Sequence, residues 1–119
     1  YCDFNVVRAR GREDEAAALV GAILQDLRAQ AALIGPRPLA SIFFGGGTPS
    51  LMAPDAVAAV VEAAHTLFPA PEPVEITLEA NPTDAEGGRF ADLAAAGVNR
   101  LSLGVQALDD ASLVFLGRN

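Results

Sequence analysis

At 119 residues and 51% hydrophobic content, the chain suits one small domain that can fill a core. Its formal net charge of −7 disfavours nucleic acid as a partner, since a phosphate backbone needs clustered Lys or Arg. A single cysteine, Cys2, excludes an internal disulfide; no uninterrupted apolar run is long enough to cross a bilayer, and no secretion signal is visible, so a reducing cytoplasm is expected.

The first predicted helix covers residues 13–34. Glu13, Asp14 and Glu15 load its first turn with negative charge, which suits the helix dipole. Leu19, Ile23, Leu27, Ala31 and Ile34 recur at helical spacing, and Gly35-Pro36 stops the helix. A short apolar strand at 39–44 then runs straight into Gly45-Gly46-Gly47-Thr48-Pro49-Ser50. A second helix follows over 54–67, with Pro54 at its first position and Val57, Val60, Val61, Ala64 and Leu67 as its buried stripe. Pro69, Pro71 and Pro73 lead to a strand at 74–79. Thr83-Asp84-Ala85-Glu86 reads as a capping box, opening a third helix that carries Phe90, Leu93 and Ala94 and closes at Gly97. A strand at 99–105 and the start of a fourth helix near 109 complete the series.

Strands and helices alternate at the spacing of βα units, which predicts a parallel sheet with right-handed crossovers. In so short a chain such a sheet is incomplete, so a piece of a larger barrel is expected. An unpaired strand edge predicts poor solubility in isolation. Two strands alternate in polarity. Val74, Ile76 and Leu78 interleave with Glu75, Thr77 and Glu79; Leu101, Leu103 and Val105 interleave with Ser102, Gly104 and Gln106. One face is therefore aliphatic and suited to helices. The other is polar or small, as the inside of an open barrel around a polar ligand, or a half-covered sheet, would be.

The glycine stretch is the strongest candidate for chemistry. Consecutive glycines cost backbone entropy and bury no side chain, so they fit where the backbone turns sharply and something approaches it closely. A ligand cradled at the carboxyl end of a parallel strand is one reading; a plain glycine turn is the other. The stretch lacks the Lys of a phosphate loop and the GxGxxG spacing, which disfavours nucleotide triphosphates and dinucleotides. Glu79 ends a strand directly before the turn forced by Asn81-Pro82, as a ligand contact or a solvated acid. Gln106 ends the next, with Gly104 leaving room on the same face; it is a ligand amide or a loop glutamine. Arg118 could clamp a carboxylate or lie exposed. His65 stands alone on the second helix with no partner at metal-ligand spacing, and reads as structural or solvated. No Ser-His-Asp arrangement is present.

Taken together, Tyr1-Cys2-Asp3-Phe4, Phe44-Gly45-Gly46-Gly47-Thr48-Pro49-Ser50, Leu78-Glu79-Ala80-Asn81-Pro82 and Gly97-Val98-Asn99-Arg100-Leu101-Ser102-Leu103-Gly104-Val105-Gln106 resemble the radical S-adenosylmethionine (SAM) family. The branch is that of oxygen-independent coproporphyrinogen III oxidase (HemN) and the heme chaperone HemW. The resemblance implies an α/β fold, part of a partial (βα)6 TIM-like barrel with outer helices, with residues 1–119 as the N-terminal part of one core domain. It further implies a [4Fe–4S] cluster held by a CxxxCxxC motif and an open iron position for SAM. Cys2 matches the third cluster cysteine, and Tyr1 the aromatic residue near the adenine. Gly46, Gly47 and Thr48 match the contact to the amino-acid end of SAM; Glu79 and Gln106 match polar SAM contacts, and Arg118 an arginine that pairs with the SAM carboxylate.

Within the branch, the oxidase carries a further cysteine two residues beyond the third, where this chain has Phe4, and tends to an acidic version of Leu78-Glu79-Ala80-Asn81-Pro82. The resemblance thus leans to HemW, with heme as cargo and a heme-receiving protein or electron donor as partner. Oxidative decarboxylation of coproporphyrinogen III is the alternative. A tRNA-modifying role ranks below both, because the acidic balance opposes it.

Overall fold

The computed structural model describes residues 13–70, 73–82 and 88–118. In chain order they form α1 (Glu13–Ile34), β1 (Ser41–Phe44), a 3-10 turn (Pro49–Leu51), α2 (Pro54–Leu67), β2 (Glu75–Ala80), α3 (Phe90–Ala95), β3 (Arg100–Leu103) and α4 (Asp110–Phe115). The strands make one parallel sheet in the order β1-β2-β3, with Phe43 beside Thr77 and Thr77 beside Arg100. The expected βα alternation is therefore present, and all strand carboxyl ends point to one edge.

Alternation along β2 sorts its side chains. Ile76, Leu78 and Ala80 are buried and pack with Val57 and Val61 of α2, Leu93 of α3, and Val74 and Val98 beside the strands. Ile42 and Phe44 of β1 join from the same face. Leu78 is 0% exposed at the centre of this cluster. Leu78→Ala is expected to cost about 2–5 kcal/mol through lost transfer energy and the cavity left behind. The urea midpoint would read it; a loss below about 1 kcal/mol would place the core elsewhere.

The opposite face is polar, as the alternation predicted. Thr77 is buried there, yet it is satisfied: its hydroxyl donates to Glu75 Oε1 at 3.1 Å and accepts from Arg100 Nη1 at 3.2 Å. The Asn99 side chain starts the β2–β3 pairing by accepting from Ile76 N and donating to Val74 O, both at 2.8 Å.

Two strands are shorter than predicted. β1 begins at Ser41 rather than residue 39, although Leu39 N still donates to Pro69 O at 2.9 Å. β3 ends at Leu103 rather than 105: Gly104 N makes the last bond to β2, to Ala80 O, and Val105 N then turns back onto Leu103 O, both at 2.9 Å. Gln106 therefore lies beyond β3, in the turn, and does not end the strand. The predicted capping box Thr83–Glu86 lies outside the described residues. α3 closes at Gly97 as expected, with Val98 N donating to Leu93 O at 3.1 Å.

The helical stripe of α1 is displaced from its prediction. Val20, Ile23, Leu24, Leu27 and Ala31 are partly buried, whereas Leu19 (58%) and Ile34 (42%) are exposed. The helix rests on α2 across an open seam, and an apolar groove of about 690 Å³ separates its first half from Met52 and Ala56. By length and composition alone, Asp14–Ile34 is apolar enough to cross a membrane, with mean hydropathy 1.3. This qualifies the expectation of no spanning segment, which rested on the lack of an uninterrupted apolar run. Asp26 and Arg28 interrupt this one.

Candidate functional site

β1 delivers the backbone into the glycine stretch at the carboxyl edge of the sheet. Gly46 and Gly47 take φ of +88° and +59°, a region that L side chains rarely adopt, and this turns the loop back across the end of β2. The approach is close. A Cβ on Gly45 would stand 2.8 Å from the Phe43 ring and 3.4 Å from Glu79 Oε2. Gly46 N donates to that same Glu79 oxygen at 3.1 Å, tying loop to strand. Beyond the glycines, Leu51 N donates to Thr48 O at 3.0 Å and closes the 3-10 turn. Arg89 anchors its far end, donating from Nη2 to Met52 O at 2.8 Å and to Leu51 O at 3.3 Å.

A cavity of about 220 Å³ lies between this loop and the next two strand ends. Gly47 and Thr48 line it from the loop, Glu79 and Asn81 from the end of β2, and Ser102, Gly104 and Gln106 from the end of β3. Residues taken from separate motifs thus meet around a single space. The space is smaller than the roughly 300–1,000 Å³ of a pocket enclosing a whole drug-sized ligand, so it suits one end of such a molecule. A carboxylate, two hydroxyls and two side-chain amides give the space hydrogen-bond donors and acceptors for a compact polar group.

The predicted site residues divide into three sets. Gly47, Thr48, Glu79 and Gln106 line the cavity, and Gly46 is bonded to Glu79 at its edge. The Gln106 amide is turned onto its own loop, donating from Nε2 to Gly104 O at 2.8 Å. Arg118 is half-buried behind the wall and reaches it through Asn81, donating from Nη1 to Oδ1 at 3.1 Å. Tyr1 and Cys2 lie outside the described residues. His65 is exposed on α2, in keeping with a solvated role. Among the described residues no group of three or more His, Cys, Asp or Glu could hold a metal ion.

Sequence reasoning missed Asn81 and Ser102 as wall residues. Asn81 reads in sequence as a turn former before Pro82. Ser102 carried a usable signal: it alternates onto the polar face, and the parallel register sets it beside Glu79.

α4 decides where Arg118 sits. Asp109 caps its start, accepting from Ser112 N at 2.9 Å, and that bond holds the Asp109 carboxyl below its usual range. The far end closes at Gly117 (φ +67°), whose N donates to Val114 O at 3.1 Å, while Arg118 N donates to Leu113 O at 2.8 Å. This double closure fixes the backbone from which the arginine extends.

The model of the Radical SAM superfamily matches residues 1–119. Radical S-adenosyl methionine domain-containing protein 1, mitochondrial, of Bos taurus is 50% identical over 118 residues, covering 99% of this chain and 26% of that protein. Heme chaperone HemW of Escherichia coli is 41% identical over 120 residues, covering 99% of this chain and 31% of the relative. Among solved structures, coproporphyrinogen III oxidase (HemN) from Escherichia coli, described as a radical SAM enzyme, superposes with a TM-score of 0.81 at 26% identity, over 99% of this chain and 27% of that one. The chain thus spans about a quarter to a third of the length of these relatives, and it shares their parallel-sheet fold.

Proposed function

Because this chain belongs to the radical SAM superfamily, we propose that its strand-end cavity takes the amino-acid end of SAM and that the protein handles heme as a HemW-like chaperone. The observation that carries the reading is the meeting of the glycine loop, Glu79, Ser102 and Gln106 at the carboxyl edge of three parallel strands. Chains of this architecture bind ligands at that edge.

The residues present fit an amino-acid group. Glu79 offers an acceptor to an ammonium, and its bond to Gly46 N keeps the carboxylate directed at the loop. The bare backbone of Gly47 allows close approach, and Thr48 and Ser102 add hydroxyls. Arg118 supplies a guanidinium joined to the wall through Asn81, and we assign it the ligand carboxylate. Gln106, exposed in the turn after β3, contributes a polar rim. Tyr1 is assigned to the adenine side by resemblance.

The superfamily implies a [4Fe–4S] cluster beside SAM. The described residues hold no set that could ligate it, and Cys2 would contribute one thiolate. One-electron reductive cleavage of SAM is the chemistry that this cofactor pair supplies when bound. The chain's own part is to orient SAM and to keep its polar end desolvated. A reducing compartment such as the cytoplasm, which keeps such a thiol available, belongs to the same proposal.

Two features support the chaperone over the oxidase. Identity to HemW of Escherichia coli is 41%, against 26% to HemN of the same organism, and Phe4 occupies the place of the oxidase branch's further cysteine. Heme, with a heme-receiving protein or an electron donor, is then the expected partner set. Titrating the full-length protein with heme is expected to give a stable complex, while coproporphyrinogen III with SAM and a reductant gives no product. Formation of product would replace the chaperone reading with the oxidase one.

A further inference from the structure

We propose that Asn81 is a positioning residue that holds Arg118 in place to receive the carboxylate of the ligand, an inference that rests on the SAM reading of the cavity. Asn81 follows β2 directly and lines the cavity, whereas Arg118 extends from the end of α4 behind it. Their bond, Arg118 Nη1 to Asn81 Oδ1 at 3.1 Å, joins segments 37 residues apart in a half-buried contact. A guanidinium only donates, so the atom of Asn81 that faces it is the oxygen.

Both ends of this bond are braced. On the arginine side, Asp109 caps α4 and the closure at Gly117 pins the backbone of Arg118. On the asparagine side, Ala80 is paired in the sheet and Pro82 restricts the residue before it to extended backbone. Gly104 lies alongside: a Cβ there would meet Asn81 Oδ1 at ordinary contact distance, 3.4 Å, and Gln106 Nε2 more tightly, at 3.2 Å. An arginine side chain loses rotamer entropy when it is ordered. Ordering it before the ligand arrives removes that cost from binding.

The choice of a neutral amide also has a reason. An aspartate at position 81 would accept the same bond, but its charge would offset that of the guanidinium. Asparagine orders the cation without adding a negative charge beside it.

The test uses full-length, anaerobically reconstituted protein titrated calorimetrically with SAM and with decarboxylated SAM, which lacks the carboxylate. Asn81→Ala is expected to weaken SAM binding by about five- to tenfold, in line with one lost charge-assisted contact, and to leave decarboxylated SAM unaffected. In an Arg118→Ala background the same change should add nothing, since the two residues act as one unit. Asn81→Asp keeps an acceptor before Pro82 and serves if the alanine variant does not fold; it should show the same loss selective for SAM. Equal losses for both ligands, no loss for either, or an Asn81→Ala effect that persists without Arg118 would overturn the inference while the cavity reading stands. Failure of the unaltered protein to bind SAM would overturn both.

Discussion

Replacing Glu79 with alanine is expected to lower SAM affinity by about 10- to 100-fold, the equivalent of roughly 1.5–3 kcal/mol for a charged hydrogen-bond partner. Two losses combine. The cavity loses its one carboxylate among the described residues, and Gly46 N loses its acceptor at 3.1 Å, so that tie from the glycine loop to β2 is gone. Glu79→Gln separates them. Its amide oxygen can still accept from Gly46 N, which preserves the loop, while the charge is gone. Calorimetry should therefore place glutamine between the native residue and alanine. Native-like affinity in the alanine variant would remove this acid from the site.

The other large effect is expected at Cys2. Cys2→Ser in the full-length protein, reconstituted anaerobically, should abolish the visible iron–sulfur absorption and most of the bound iron. Iron–sulfur clusters are held by thiolates, and a serine hydroxyl is a harder, far less acidic ligand. Cys2 is the chain's only cysteine, so no neighbour within these residues can substitute for it. Iron content equal to that of the native protein would end the cluster assignment for this residue.

The ease with which this fold can be read from the sequence follows from its periodicities. In β2, Ile76 and Leu78 alternate with Thr77 and Glu79 because one face meets α2 and α3 and the other does not. That contrast survives in sequence as period two. α2 was equally legible: Val57, Val60, Val61 and Ala64 are all buried. α1 was harder. Its alanine-rich surface is apolar nearly all round, so hydrophobicity alone could not choose between Leu19, which is exposed, and Val20, which is partly buried.

The site was legible where a backbone need shows as residue type. Gly46 and Gly47 announce left-handed turns, and Glu79 is a carboxylate near a strand's end. Long-range pairing left weaker marks. The bond from Arg118 to Asn81 joins the closure of α4 at Gly117 to the turn after β2, which come from different units of the fold. Gln106 looked like a strand residue because the alternation of Leu101, Leu103 and Val105 runs on past the turn after Gly104, where the bond from Val105 N back to Leu103 O ends the pairing.

The most direct measurement is a crystal structure of the full-length, cluster-loaded protein with SAM. The account predicts the methionyl group of SAM between Gly47, Glu79 and Gln106, with its ammonium within hydrogen-bond distance of Glu79 and its carboxylate facing Arg118. SAM bound elsewhere, with the space between the glycine loop and the ends of β2 and β3 filled only by water, would contradict it.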